Sequence, residues 1–103
     1  MKKTQKQEKH IEIKKADKLA KVMSVAGVGP RLKILCLLFK EKKLCVSEIA
    51  LKTEMSVATA SHHLQVLSSN KLLSKVREGK NICYMYEEHE FARGLKKFIC
   101  HYL

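Results

Sequence analysis

Two sets of side chains in this 103-residue chain have the types and spacing to do chemistry. The first is a run of short polar groups: Ser56, Thr59, Ser61, His62 and Gln65. Their hydroxyl, imidazole and amide groups both donate and accept hydrogen bonds. That is the chemistry by which base edges are read: Gln can pair bidentately with adenine, and Ser or Thr can serve several bases. The second set is sulfur, at Cys36, Cys45, Cys83 and Cys100. A thiolate is a nucleophile and a ligand for soft metals. The adjacent pair His62 and His63 could be taken for metal ligands. On a helix, however, neighbours diverge by about 100° and do not readily share one ion. His62 is expected to face outward and His63 to pack.

The reading groups need a helix to present them. Ser56 is placed to cap one, and Val57, Ala60, Leu64 and Leu67 fall on one face at the helical period. Thr59, His62 and Gln65 then lie on the other side, with Ser61 at the flank. A short helix precedes it, opened by Ser47 with Val46 and Leu51 as a hydrophobic staple. Together, residues 46–67 read as helix, tight turn and second helix. Upstream, Leu19, Ala20, Val22, Met23 and Ala26 form a helical pattern from Ala16, which Gly27 and Gly29 stop. Pro30 opens the next helix, running to about Phe39 and apolar nearly all round, so it is the expected core helix. The segment Lys40–Lys43 reads as a solvated connection. After Asn70 the period changes. Leu73–Arg77 and Asn81–Tyr86 are rich in β-formers around Glu78-Gly79-Lys80, a hairpin with Gly in its turn. Lys75 and Arg77 can point to solvent. Cys83 faces opposite Tyr84 and is expected to be structural. A last helix covers about Glu88–His101. The order is that of a mainly α winged helix-turn-helix, five helices plus a β-hairpin wing.

Charge agrees with a polyanionic partner. There are 21 Lys and Arg against 10 Asp and Glu, a formal net charge of +11, and a helix-turn-helix on so basic a domain points to double-stranded DNA. With 46% hydrophobic residues the chain is expected to fold. The expected division is a flexible basic arm over residues 1–15 and one winged-helix domain over 16–103. The wing residues Arg77 and Lys80 are expected on the DNA backbone or in the minor groove, where they position without specifying sequence. No apolar stretch resembles a secretory signal or suffices to span a bilayer, so a cytoplasmic location and no membrane partner are expected. All four thiols are then expected to be reduced at rest. No nucleophile–base–acid set or phosphate loop appears, which gives no reading as an enzyme. The rival reading is a winged helix that presents the same face to RNA or protein.

The residues resemble the ArsR/SmtB family of bacterial repressors over about residues 16–102. The resemblance is carried by Pro30-Arg31-Leu32-Lys33-Ile34-Leu35, Val46-Ser47-Glu48-Ile49-Ala50, Ser61-His62-His63-Leu64 with Leu67, and Arg77-Glu78-Gly79-Lys80 followed by Tyr84. It implies a homodimer formed through the first and last helices, a pseudo-palindromic operator, and release by an inducer. The family's thiolate metal site uses Cys-x-Cys at the start of the third helix. Here Cys45-Val46-Ser47 puts a hydroxyl in place of the second sulfur, so the soft metal loses a preferred ligand. The family's other metal site, in the last helix, is matched only in part. A mixed set of Glu88, His89, Cys100 and His101 across the dimer is the alternative for a divalent metal. The closer resemblance is to the sulfide- and persulfide-responsive branch, which carries one Cys in the second helix and one near the end of the last. Ile34-Leu35-Cys36 and Phe98-Ile99-Cys100 fit those places. The resemblance therefore implies Cys36 and Cys100 as sensing thiols, persulfide or polysulfide as inducer, and no required cofactor. One of the two needs a lowered pKa, for which Lys33, Lys40, Lys96, Lys97 and His101 supply positive charge.

Overall fold

Leucines at helical spacing and a hairpin of β-formers assemble into five helices and a small sheet. The computed structural model describes the backbone of residues 2–103 and the side chains from residue 12 onward. The elements are α1 (Lys2–Ala26), α2 (Gly29–Lys40), β1 (Leu44–Cys45), α3 (Val46–Lys52), α4 (Val57–Ser69), β2 (Leu73–Glu78), β3 (Asn81–Tyr86) and α5 (Glu90–His101). The expected arm over residues 1–15 falls mostly outside the described side chains. From Lys2 the backbone of that stretch is helix, the first part of α1, where a flexible arm is expected from sequence.

The junction between α1 and α2 requires glycine. The Gly27 N–H donates to the Met23 carbonyl at 2.8 Å. A Cβ at Gly27 would sit 2.8 Å from the same oxygen, closer than real Cβ contacts come. Pro30 then lies in the first turn of α2, where its missing N–H leaves no helical bond unmade.

The core forms where α2, α3, α4 and the sheet meet. Ile34, Leu35, Ile49, Leu64, Leu67 and Leu72 are fully buried in it. The expectation that α2 is the core helix holds for Ile34, Leu35 and Leu38, whereas Cys36 and Leu37 are half-buried. Tyr86 closes the far side. Its ring meets Phe39 edge-on at 4.7 Å between centroids, and its hydroxyl donates to the Ala92 carbonyl at 2.6 Å. That bond satisfies a polar group the core would otherwise strand, and it docks α5. Burial pushes the Tyr86 phenol far above its ordinary range, with Glu88 and Cys100 adding to the shift.

The sheet is antiparallel, in the order β1-β3-β2. The hairpin turns through Gly79 and Lys80 between the paired Glu78 and Asn81. Gly79 has φ 63, the positive value that primed hairpin turns need at their first central position. The third strand, β1, is not among the expected elements; it follows the segment Lys40–Lys43, which is exposed as a solvated connection should be. Leu44 pairs with Tyr84 and Cys45 with Cys83. Two residues carry no periodic signal, which is why the sequence does not announce them.

Three further expectations are corrected. The residue capping α3 is Cys45, not Ser47: its backbone N–H donates to the Glu48 carboxylate at 3.0 Å. Leu51 is 81% exposed and staples nothing. The last helix begins at Glu90, with His89 as its cap rather than inside it.

The orientation of α4 gives a direct test. Replacing the fully buried Leu64 with Ala should cost about 2–5 kcal/mol of unfolding free energy through lost burial and a residual cavity. Replacing the exposed neighbour Gln65 with Ala should cost no more than about 0.5 kcal/mol. Urea denaturation at one fixed protein concentration measures both. Equal losses would mean that α4 is rotated from the orientation described.

Candidate nucleic-acid interface and thiol sites

The N-terminus of α4 is built by Ser56. Its hydroxyl oxygen accepts from the Thr59 N–H at 3.0 Å and its O–H lies 2.9 Å from the Thr59 hydroxyl. Such a cap contributes about 1 kcal/mol. It also leaves the Thr59 hydroxyl hydrogen free for an outside acceptor. Ala60, Leu64 and Leu67 are buried, while Thr59, His62 and Gln65 are exposed and Ser61 is half-buried. The predicted reading residues thus share one outward surface. Gln65 spans back to Ser61, its amide nitrogen 3.4 Å from the hydroxyl. Val57 departs from expectation. It is 56% exposed, because the first turn of α4 overhangs the core. An exposed methyl-bearing side chain there can meet a thymine methyl, a role the periodicity did not suggest.

His63 packs as expected. It is half-buried, and burial holds its imidazole below the ordinary value of 6.5, with Arg31 and His62 lowering it further. The two histidine rings lie 5.7 Å apart at 59° to one another, so they present no common ligand direction.

The wing adds cations. Arg77 and Lys80 are exposed, as is Lys75. Glu78 at the wing tip is paired with Lys43, so its charge does not stand free to repel a phosphate.

The cysteines divide into two pairs. Cys36 is half-buried on α2 and Cys100 exposed on α5, and both are free thiols. Cys36 lines an open depression with Lys33, Leu37, Lys40, Lys52 and Thr53. Its thiol is pushed above the ordinary value, by burial first and then by the charge of Cys100. The expectation of a lowered pKa is therefore not met at Cys36. The second pair overturns the expectation of four reduced thiols. Cys45 and Cys83 are joined as a disulfide across β1 and β3. Their register sets them directly opposite one another. The Glu78 carboxylate stands beside them, one oxygen 3.7 Å from the Cys83 sulfur.

The last-helix metal alternative is not assembled within one chain. His89 spends both ring nitrogens on structure. Nδ1 accepts from the Ala92 N–H at 3.2 Å, and Nε2 lies 2.6 Å from the Lys71 carbonyl. Cys100 and His101 stand at the opposite end of the 12-residue helix, about 18 Å away along its axis. Among the described residues, the three donors that converge are Cys45, Glu78 and Cys83.

Residues 30–79 match the model of the arsR family of bacterial regulatory proteins. The chain is 34% identical over 83 residues to a homolog of the cadmium resistance transcriptional regulatory protein CadC from Staphylococcus aureus, covering 81% of this chain and 69% of that protein. It spans 45% to 55% of three further curated relatives. Among solved structures, it resembles a homodimeric winged helix-turn-helix DNA-binding domain from Mycobacterium bovis, a possible ArsR-family regulator. There the TM-score is 0.72 at 33% identity, over 87% of this chain and 84% of that one. Reduced HlyU from Vibrio cholerae shares the fold with a TM-score of 0.78 at 24% identity, over 88% and 95% of the two chains. The matched residues run from Pro30, which opens the core helix, to Gly79 in the wing turn, and so take in the whole helix-turn-helix. The chain belongs to the ArsR/SmtB family of winged-helix transcriptional repressors.

Proposed function

We propose that the protein acts as a homodimer that holds a pseudo-palindromic operator and lets it go when an inducer modifies Cys36 and Cys100. The observation that carries the DNA reading is the outward polar surface of α4. Thr59, His62 and Gln65 are exposed on a helix whose other side is locked into the core. Helices of this kind enter the major groove and read base edges with their outer residues. Ser56, Ser61, Arg77 and Lys80 would add contacts around that surface.

Dimerisation is supported by what α1 and α5 leave uncovered. Leu19 and Met23 on α1 are exposed, and Phe98 and Tyr102 at the end of α5 are 60% and 73% exposed. Large apolar side chains grouped at two helices mark an association surface. A two-fold dimer places two copies of α4 about one helical turn of DNA apart, which is why the operator is expected to be a pseudo-palindrome.

For release, Cys100 is the exposed thiol and Cys36 the sheltered one. Each takes a sulfane sulfur from a low-molecular-weight persulfide, which leaves as its thiol. The two protein persulfides then condense to a trisulfide with loss of hydrogen sulfide. The presence of both as free thiols, one on α2 and one on α5, supports this step. A link between α2 and α5 would shift the dimer helix against the core. The likeness to a cadmium resistance regulator supports a thiophilic metal as the second inducer class.

Two experiments test the reading. In gel shifts against the promoter of its own gene, Gln65→Ala should lose about 1–3 kcal/mol and relax preference at one base position in each half-site. Lys80→Ala should weaken binding uniformly and lower the log–log salt slope by about 1. Equal displacement by any competitor DNA or RNA would overturn the operator reading. After persulfide treatment, mass spectrometry should find Cys36 linked to Cys100 through added sulfur, together with loss of operator binding. Unchanged release of a Cys36→Ser, Cys100→Ser protein would remove these thiols from the mechanism.

A further inference from the structure

The pair formed by Cys45 and Cys83 lies outside the persulfide reading, and it has a companion. Glu78 ends β2, two pairing positions along from Val76, which stands opposite Cys83. One oxygen of its carboxylate pairs with Lys43, and the other lies 3.7 Å from the Cys83 sulfur, which carries no proton while it is in the disulfide. The donor atoms of Cys45, Glu78 and Cys83 all lie within 4.8 Å of one another. A disulfide has no use for a carboxylate aimed at it. Three potentially anionic donors gathered at one point oppose one another's ionisation, and a cation among them removes that opposition.

We propose that Cys45, Glu78 and Cys83 form, once the two sulfurs are reduced, a binding site for a thiophilic divalent cation such as Cd²⁺ or Zn²⁺. The inference deepens the repressor reading by naming an inducer class and the place it acts. Reduction by a dithiol transfers two electrons and two protons to the disulfide, giving two thiols and an oxidised reductant. Cation binding then displaces the two thiol protons and gives an S₂O set with net charge −1. The geometry fits. Sulfur and oxygen ligands about 2.3 and 2.1 Å from a tetrahedral zinc stand about 3.6 Å apart, near the 3.7 Å found between the Cys83 sulfur and the Glu78 carboxylate, and reduction frees the two sulfurs to separate around the ion. The two thiolates suit a soft metal. Cys83 is buried, Cys45 half-buried and Glu78 exposed, so the ion enters from the wing side and the sulfurs form the floor.

The site differs from a Cys-x-Cys arrangement at the start of α3. Ser47 is exposed and is not among the converging donors, and the second sulfur comes from the wing. A cation here would tie the entry of the helix-turn-helix to β3 and to the wing tip. These are the elements whose relative placement decides whether α4 and Arg77 can engage one duplex together.

The test is a titration of the full chain, reduced with a phosphine under anaerobic conditions, with Cd²⁺ alone and no DNA. The expected result is one Cd²⁺ per chain with thiolate-to-cadmium ultraviolet absorption. Cys45→Ser should lose much of that absorption. Glu78→Gln should keep the absorption and weaken binding at least about tenfold. Because Cys83 is buried, Cys83→Ala is read only after circular dichroism shows it folded, and Cys45→Ser together with Glu78→Gln decides the matter without it. A Cys36→Ser, Cys100→Ser protein should bind as the unaltered chain does. Absence of Cd²⁺ uptake by the reduced chain, an unchanged absorption in Cys45→Ser, or its loss in the Cys36→Ser, Cys100→Ser protein would each overturn the proposal. Since DNA is absent, failure here is distinct from failure of the operator reading.

Discussion

The burial of Leu64 and Leu67 against Ile34, Leu35 and Ile49 is the constraint on which the rest of this molecule depends. A helix has one rotational setting once two of its side chains are locked into a close-packed core. That setting puts Thr59, His62 and Gln65 on the surface together. Their contribution to stability is small, and their direction is set by residues that never touch solvent. The energetics are therefore separated by side of the helix. The inner face contributes several kcal/mol to folding, and the outer face keeps its hydrogen-bonding capacity for a partner. Ser56 adds to both sides, since it closes the first turn and fixes the Thr59 hydroxyl at the same time.

The wing is placed by a smaller device. β1 has only two residues, yet it hydrogen-bonds to β3 immediately before α3 begins. The chain thus enters its helix-turn-helix directly from the sheet whose other edge is the wing. Leu44 secures that junction by burial, and Lys43 does so through its pair with Glu78. A shift of β1 against β3 would move the wing cations and α4 relative to one another. Phosphate contacts fix register while base contacts specify, so a change at this junction would disturb binding without altering a single base-reading side chain.

Much of this was legible from sequence, for a physical reason. The 3.6-residue period in α4 and the alternation in β3 are repeated signals, and Gly27, Pro30 and Gly79 mark breaks that backbone geometry demands. What escaped was whatever depends on contact between distant segments. The pairing of Cys45 with Cys83 joins residues 38 apart in the chain. Neither has a neighbour that announces it. The cap of α3 at Cys45 was hidden because Ser47 is the better capping residue by type, whereas the Glu48 carboxylate selects the position by its reach. His89 shows the same limit. By type and position it suits a metal site, but the carbonyl of Lys71, which lies near it only in the folded chain, commits it to structure.

The cysteines divide by the elements they lie on. Cys36 and Cys100 lie on the core helix and on the helix with exposed apolar residues at its end, so on the proposed release a bond between them would act on association of two chains. Cys45 and Cys83 join the helix-turn-helix to the wing, so a bond or an ion there acts within one chain. On these proposals the first would change the spacing of the two copies of α4, and the second the shape each copy offers. DNA affinity in a domain of net charge +11 comes largely from phosphate neutralisation, and neither modification alters the Lys and Arg count. An inducer of the kind proposed at either place would therefore work by geometry, by breaking the simultaneous fit of both half-sites or of helix and wing. Such a change would need a stiff connection between sulfur and DNA-reading surface. The fully buried Ile34, Ile49 and Leu64, packed between the α2 that carries Cys36 and the α4 that carries Gln65, would supply it.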